Sequence, residues 1–166
     1  MKRLSVVLLA LFCFMTIAQV SAQRITPVNY YFVFTQARFD GVSAANYFRR
    51  NYKDGGAAFK KRIANTVIKA ANRKSMNHKG FALSNASKTR YEVAIYLLDV
   101  DDDGANKLEA KVYNKKTKRL MGTVTARAKG GRSNTMERLL IERLENSGED
   151  LGDKLVDKVL NDLYNR

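Results

Sequence analysis

Three basic side chains stand out by type and spacing. Arg62, Lys69 and Arg73 lie seven and four residues apart. On a helix of 3.6 residues per turn those positions project from one side. Their charges would then sum into a ridge suited to an anionic ligand. The competing reading is a solvated helix face that keeps the chain soluble. A second mixed segment, Tyr47-Phe48-Arg49-Arg50 with Tyr52 and Lys53, interleaves rings and cations. It could stack on sugars or bases, or its rings could simply dock a loop.

The acidic run Asp99, Asp101, Asp103 and Gly104 matches the first half of an EF-hand loop, where carboxylates surround Ca²⁺ and a glycine permits the sharp turn. The second half does not match. The twelfth position calls for a bidentate Glu and holds Ala110, with Glu109 one place early; the eighth holds Asn106. An acidic hairpin turn is the expectation, with no metal site. His78 is the single histidine, between Lys-rich and Gly-flanked residues that read as a turn. A Ser-His-Asp arrangement needs a histidine in contact with both partners, and nothing in the sequence supplies them. Gly130-Gly131-Arg132 is too short for a phosphate loop. No catalytic residue and no cofactor is expected. A paired-carboxylate hydrolase stays open as the alternative, because that signature is spatial rather than sequential.

The elements that would position these residues can be read from periodicity. Residues 28–34, Val-Asn-Tyr-Tyr-Phe-Val-Phe, are β-branched and aromatic and read as a strand. Residues 41–56 read as a loop, with a turn of helix at 44–48. Residues 57–74 read as a helix with Phe59, Ile63, Val67 and Ala70 as its buried stripe. Residues 77–80 break it, and 81–84 form a short strand. Residues 91–100 read as a central strand, apolar on both faces. After the Asp101–Gly104 turn, residues 107–113 and 120–128 complete an antiparallel meander. Asn134, with Glu137 three places on, suits a helix cap. Met136, Leu140 and Leu144 form one stripe. Ser147 would cap a last helix buried through Leu151, Leu155, Val159 and Leu163, with Gly152 approaching the sheet.

The amino terminus reads as a secretory signal. Lys2 and Arg3 precede an uncharged apolar stretch over residues 4–17, and Val20 and Ala22 fit the small-residue rule for cleavage after Ala22. Phe12 before Cys13, the sole cysteine, does not suit lipidation. No later stretch is long enough to span a bilayer. Removing Lys2 and Arg3 from the 30 basic residues leaves 28 against 16 acidic ones, a net charge of +12 for residues 23–166. The charges are segregated: twelve basic residues and one acid, Asp54, over 49–90, and eight basic residues without an acid over 111–132. Such asymmetry suits an anionic surface. An extracytoplasmic address makes nucleic acid a poor partner.

The stretch from Asp99-Val100-Asp101-Asp102-Asp103-Gly104 through Gly131 to Leu160, including Ser147-Gly148-Glu149-Asp150-Leu151-Gly152, is similar to a group of small, uncharacterised secreted proteins of Gram-negative envelopes. The element order also resembles the small α/β domain of the Tol-Pal periplasmic protein and related outer-membrane lipoproteins. This implies an envelope location and transfers no catalytic residue. Residues 1–22 are expected to be a signal peptide and 23–166 a single α+β domain. Its sheet should be mostly antiparallel, of four to five strands, with two to three helices in the order strand-helix-strand-strand-strand-helix. It should be a non-enzymatic periplasmic or secreted binding protein. Arg62, Lys69 and Arg73 should face an anionic envelope surface or glycan, or another envelope protein.

Overall fold

The computed structural model describes residues 25–86, 88–130 and 135–164. The signal peptide, Cys13, the cleavage position after Ala22, Gly131 and the Asn134 cap lie outside them. Strand β1 (Thr26–Val33) comes first, then two short strands, β2 (Arg38–Phe39) and β3 (Val42–Ser43). Asp40 and Gly41 join these two with φ of 48° and 74°, the left-handed pair that a tight hairpin turn requires. Helices α1 (Ala44–Asn51) and α2 (Ala57–Lys79) lead to β4 (Phe81–Ser84), β5 (Tyr91–Val100), β6 (Asn106–Asn114) and β7 (Leu120–Ala128). The chain closes with α3 (Met136–Leu155), a π-helical turn (Val156–Leu160) and α4 (Asn161–Tyr164).

The sheet is mixed, not mostly antiparallel, and has seven strands rather than four or five. Its main order is β4-β1-β5-β6-β7. β1 pairs in parallel with both β4 and β5, and β2 continues in parallel along β5. Only β2–β3, β5–β6 and β6–β7 are antiparallel. The cause is the connection after β1. A helical crossover returns the chain parallel to the strand it left, whereas a hairpin reverses it. β5 is central, as its apolar pattern requires.

The even positions of β1 and the odd positions of β5 turn one way. Val28, Val93, Ile95, Leu97, Leu108, Ala110, Val112, Val124 and Ala126 are buried in one cluster with Ile63, Val67, Leu140, Leu144, Leu151 and Leu155 of α2 and α3. The helices thus cover this face of the sheet. The other face of β5 is not equally apolar: Ala94 is buried, but Tyr96 and Leu98 are only partly so, with Glu92 beside them.

Helix α2 outruns its expected end by a turn. Gly80 has φ 69° and its N–H donates to the Ser75 carbonyl, so the left-handed stop comes there and not at Asn77. His78 therefore sits in the last turn of the helix. At the other end the Asp54 carboxylate accepts from the Gly56 N–H at 3.0 Å. Helix α3 corrects a second boundary. Ser147 does not cap a separate helix but lies fully buried in the middle of a 20-residue one. Its Oγ is hydrogen-bonded to Asn106 Oδ1 at 2.7 Å, so the hydroxyl is satisfied inside the core. A Cβ on Gly152 would stand 2.4 Å from the Ala71 carbonyl oxygen, and one on Gly148 2.9 Å from Val67 O and Ala70 Cβ. The close approach is therefore to α2, not to the sheet. No helix among the described residues is long and apolar enough to cross a membrane.

Candidate functional site

The buried stripe of α2 fixes where its charges go. Phe59, Ile63, Val67 and Ala70 point into the core, so Lys61, Arg62, Asn65 and Lys69 are turned outward and exposed. The glycine contacts hold α3 against the same helix. A groove of about 420 Å³ runs between them, lined by Lys61, Arg62, Asn65, Thr66, Lys69 and Arg73 on one bank and Glu145 on the other. The three basic residues singled out by spacing thus share one concave surface.

They are not equivalent within it. Arg73 donates to Glu149 of α3 through both Nε, at 2.9 Å, and Nη2. Lys74 Nζ is 3.9 Å from the other oxygen of Glu149. The charge at that end of the groove is largely matched. Lys61, Arg62 and Lys69 form no ion pair among the described residues. Their field is available to a ligand, with Glu145 as the one acid of the groove.

The β6–β7 hairpin does not extend this ridge. Helix α3 packs against α2 and also against β6 and β7, and so stands between them. The two basic segments of the sequence are separate surfaces. The ring-and-cation segment is structural at its rings. Phe48 is buried, Tyr47 stacks on Phe39 at 4.5 Å between centroids, and Tyr52 stacks on Phe59 at 5.5 Å. The Tyr52 hydroxyl donates to Glu137. Burial, and then that carboxylate, push its pKa well above the ordinary phenol value. Arg49, Arg50 and Lys53 stay exposed beside it.

The acidic run forms the β5–β6 turn. Gly104, at φ 79°, donates to the Asp101 carbonyl at 3.0 Å, and the Asp103 carboxylate accepts from the Ala105 N–H at 3.0 Å. One carboxylate of the EF-hand-like run is thus engaged with backbone. Among the described residues no three histidine, cysteine or acidic side chains gather into a metal-holding group. Glu149 is committed to Arg73, and Asp150 to Lys154 at 2.6 Å.

A surface that the sequence reading missed lies on the face of the sheet opposite the described helices. Tyr31, Tyr96 and Tyr113 stand on three adjacent strands around the small, buried Ala94. Lys111 Nζ lies 2.9 Å from Glu109 and 5.0 Å above the Tyr96 ring. Lys118 reaches Glu92 at 2.8 Å. Burial raises the pKa of Tyr31 and of Tyr113, and the neighbouring Tyr96 adds to both shifts. The signal was present in the alternation of β5 and β6, but those odd and even sets were read only for their apolar content.

No family model matches the chain, and no curated protein matches it. Solved structures give loose likenesses in chain path. One is a Xanthomonas campestris protein of the DUF330 family, 12% identical, with a TM-score of 0.44 over 82% of this chain and 85% of that one. Another is PelC from Paraburkholderia phytofirmans, solved as a dodecamer, 10% identical, with a TM-score of 0.40 over 78% and 93%. A third is a candidate lipoprotein from Caulobacter crescentus, 11% identical, with a TM-score of 0.28 over 58% and 86%. The Tol-Pal periplasmic protein, suggested by element order, is not among these three.

Proposed function

We propose that this chain is an extracytoplasmic, envelope-associated binding protein, without catalytic activity, that holds an anionic partner on the outward ridge of α2. The observation that carries the reading is the groove: Lys61, Arg62 and Lys69 are exposed, share one concavity and have no ion-pair partner among the described residues. Like charges held together repel one another, and that repulsion is relieved when an anion binds. The apolar stripe beneath them fixes their spacing whether or not a ligand is present. An export signal at residues 1–22 would place this groove outside the cytoplasm, facing the envelope's own polyanions.

The test is salt-dependent binding to anionic probes, namely phosphatidylglycerol vesicles and polygalacturonate. Raising salt from about 0.01 M to about 1 M shortens the Debye length from about 30 Å to about 3 Å. Binding to at least one probe should be present at the low end and lost at the high end. The double variant R62E/K69E should abolish it with an unchanged circular dichroism spectrum. If neither probe binds at low salt, or if the variant binds as well as the parent, the charge serves solubility and the reading fails.

A further inference from the structure

The two banks of the groove differ in sign, and that difference bears on the shape of the partner. Glu142, Glu145 and Glu149 are spaced three and four residues apart on α3, so they form one row along that helix. Glu145 lines the groove, and Glu149 joins the banks through Arg73. Glu149 is matched by Arg73, and Glu142 stands 3.9 Å from Arg143, so Glu145 is the acid of α3 that faces the cations of α2 across the groove. A flat anionic surface would rest on the rims of the groove and meet the exposed Glu145 without reaching the residues between the banks. Part of the attraction would be offset by that repulsion. A narrow chain can instead enter the groove and reach Arg62, Asn65, Thr66 and Lys69 together, with Glu145 as its like-charged neighbour.

The lining of the ridge fits such a chain. Arg62 and Arg73 are separated by about 16 Å along the helix, at 1.5 Å per residue. Between the cations stand Asn65 and Thr66, which also line the groove. The order along the helix is cation, amide and hydroxyl, cation, cation. Amide and hydroxyl groups both donate and accept hydrogen bonds, as sugar hydroxyls do. Lys69 and Arg62 would meet acidic groups on the same strand of ligand.

We infer that the partner is a linear acidic polysaccharide, bound lengthwise in the α2–α3 groove against Arg62, Asn65, Thr66 and Lys69, with Glu145 as the opposing bank. This rests on the anionic-partner reading above and narrows it to one class.

The experiment compares polygalacturonate, neutral dextran and phosphatidylglycerol vesicles on the full exported chain, at low salt. Polygalacturonate should bind and dextran should not. E145Q, which removes the repelling bank and leaves the cations, should tighten polygalacturonate binding by about twofold to fivefold. N65A/T66A should weaken it by a similar factor without altering its salt dependence. A factor of ten corresponds to about 1.4 kcal/mol, so each effect is the size of one or two surface contacts. Vesicle binding that exceeds polygalacturonate binding overturns the class while leaving the anionic reading in place. So does an E145Q variant that binds polygalacturonate no better than the parent. Failure of both anionic probes overturns the anionic reading itself. Thermal unfolding of each variant separates lost contacts from lost structure.

Discussion

At the scale of single residues, the least expected finding is a serine. Ser147 reads in sequence as a cap because it stands before Glu149 and Asp150, where a helix start is favourable. In the structure it is fully buried and bonded to Asn106, itself 5% exposed. A short polar side chain can satisfy itself either at a helix end or in the core, and the sequence does not distinguish the two. Its replacement by alanine leaves the Asn106 side-chain oxygen Oδ1 without its donor in the interior. That should cost about 1–3 kcal/mol, read as a lower urea midpoint with an unchanged slope. A midpoint equal to the parent's would mean the pair adds nothing to stability. The basic residues were easier to anticipate. Arg62, Lys69 and Arg73 share a groove because seven- and four-residue spacings share a helix face. Their unequal partnering was not legible, because Glu149 is 76 residues from Arg73 and reaches it only through packing.

At the scale of elements, α2 and α3 are held together by the absence of side chains. Gly152 meets the backbone of Ala71, and Gly148 meets Val67 and Ala70. Alanine at a helical glycine ordinarily gains about 1 kcal/mol. Here the added methyl at 152 would overlap a carbonyl oxygen, and overpacking of this kind costs about 1–3 kcal/mol. G152A should therefore lower thermal stability despite the better helix former. G148A should lower it less, since its closest neighbours stand at 2.9 Å rather than 2.4 Å. If G152A is the more stable protein, the helices do not pack as described. The sequence revealed that Gly152 sits within a buried stripe, but a stripe says only that something is close, not which element. The same shortfall explains the sheet. The spans of β4, β5, β6 and β7 were legible from alternation and turns. The parallel pairing of β1 was not, because direction follows from how α1 and α2 carry the chain back rather than from any residue in the strand. The short β2–β3 hairpin escaped notice because β3 falls at the start of the 41–56 stretch that reads as a loop and β2 lies just before it with no reading of its own, although Asp40-Gly41 is the turn between them.

At the scale of the whole molecule, the tyrosines bear on stability at high pH. Burial raises the pKa of Tyr31, Tyr47, Tyr52, Tyr113 and Tyr164 above the free phenol value of 10.0. Below that value both the folded and the unfolded chain keep these phenols protonated, and the stability tied to them is fully present. Above it the unfolded chain ionises first. The folded state then holds more protons, and stability falls as pH rises. The urea midpoint should therefore hold steady up to about pH 9 and decline beyond about pH 10. Absorbance of tyrosinate should show fewer of the eight tyrosines ionised at about pH 10.5 in the native protein than in denaturant. Coincident titration curves in the two states would contradict this. The overall class, sheet plus helices in one core, was legible from composition and periodicity. Which face of the sheet the described helices cover was not, because that depends on both helices choosing the same side.

The glycine seam has one more consequence. The two banks of the surface groove belong to different helices, and their separation is set where Gly148 and Gly152 touch α2 in the interior. On the proposed reading, a ligand's fit would be adjustable from positions it never meets. A lineage could widen the groove by one buried methyl group and leave every exposed residue unchanged. Homologues that keep Arg62 and Lys69 but carry alanine at 152 would be expected to select a bulkier chain, and comparison of their surfaces alone would not reveal why.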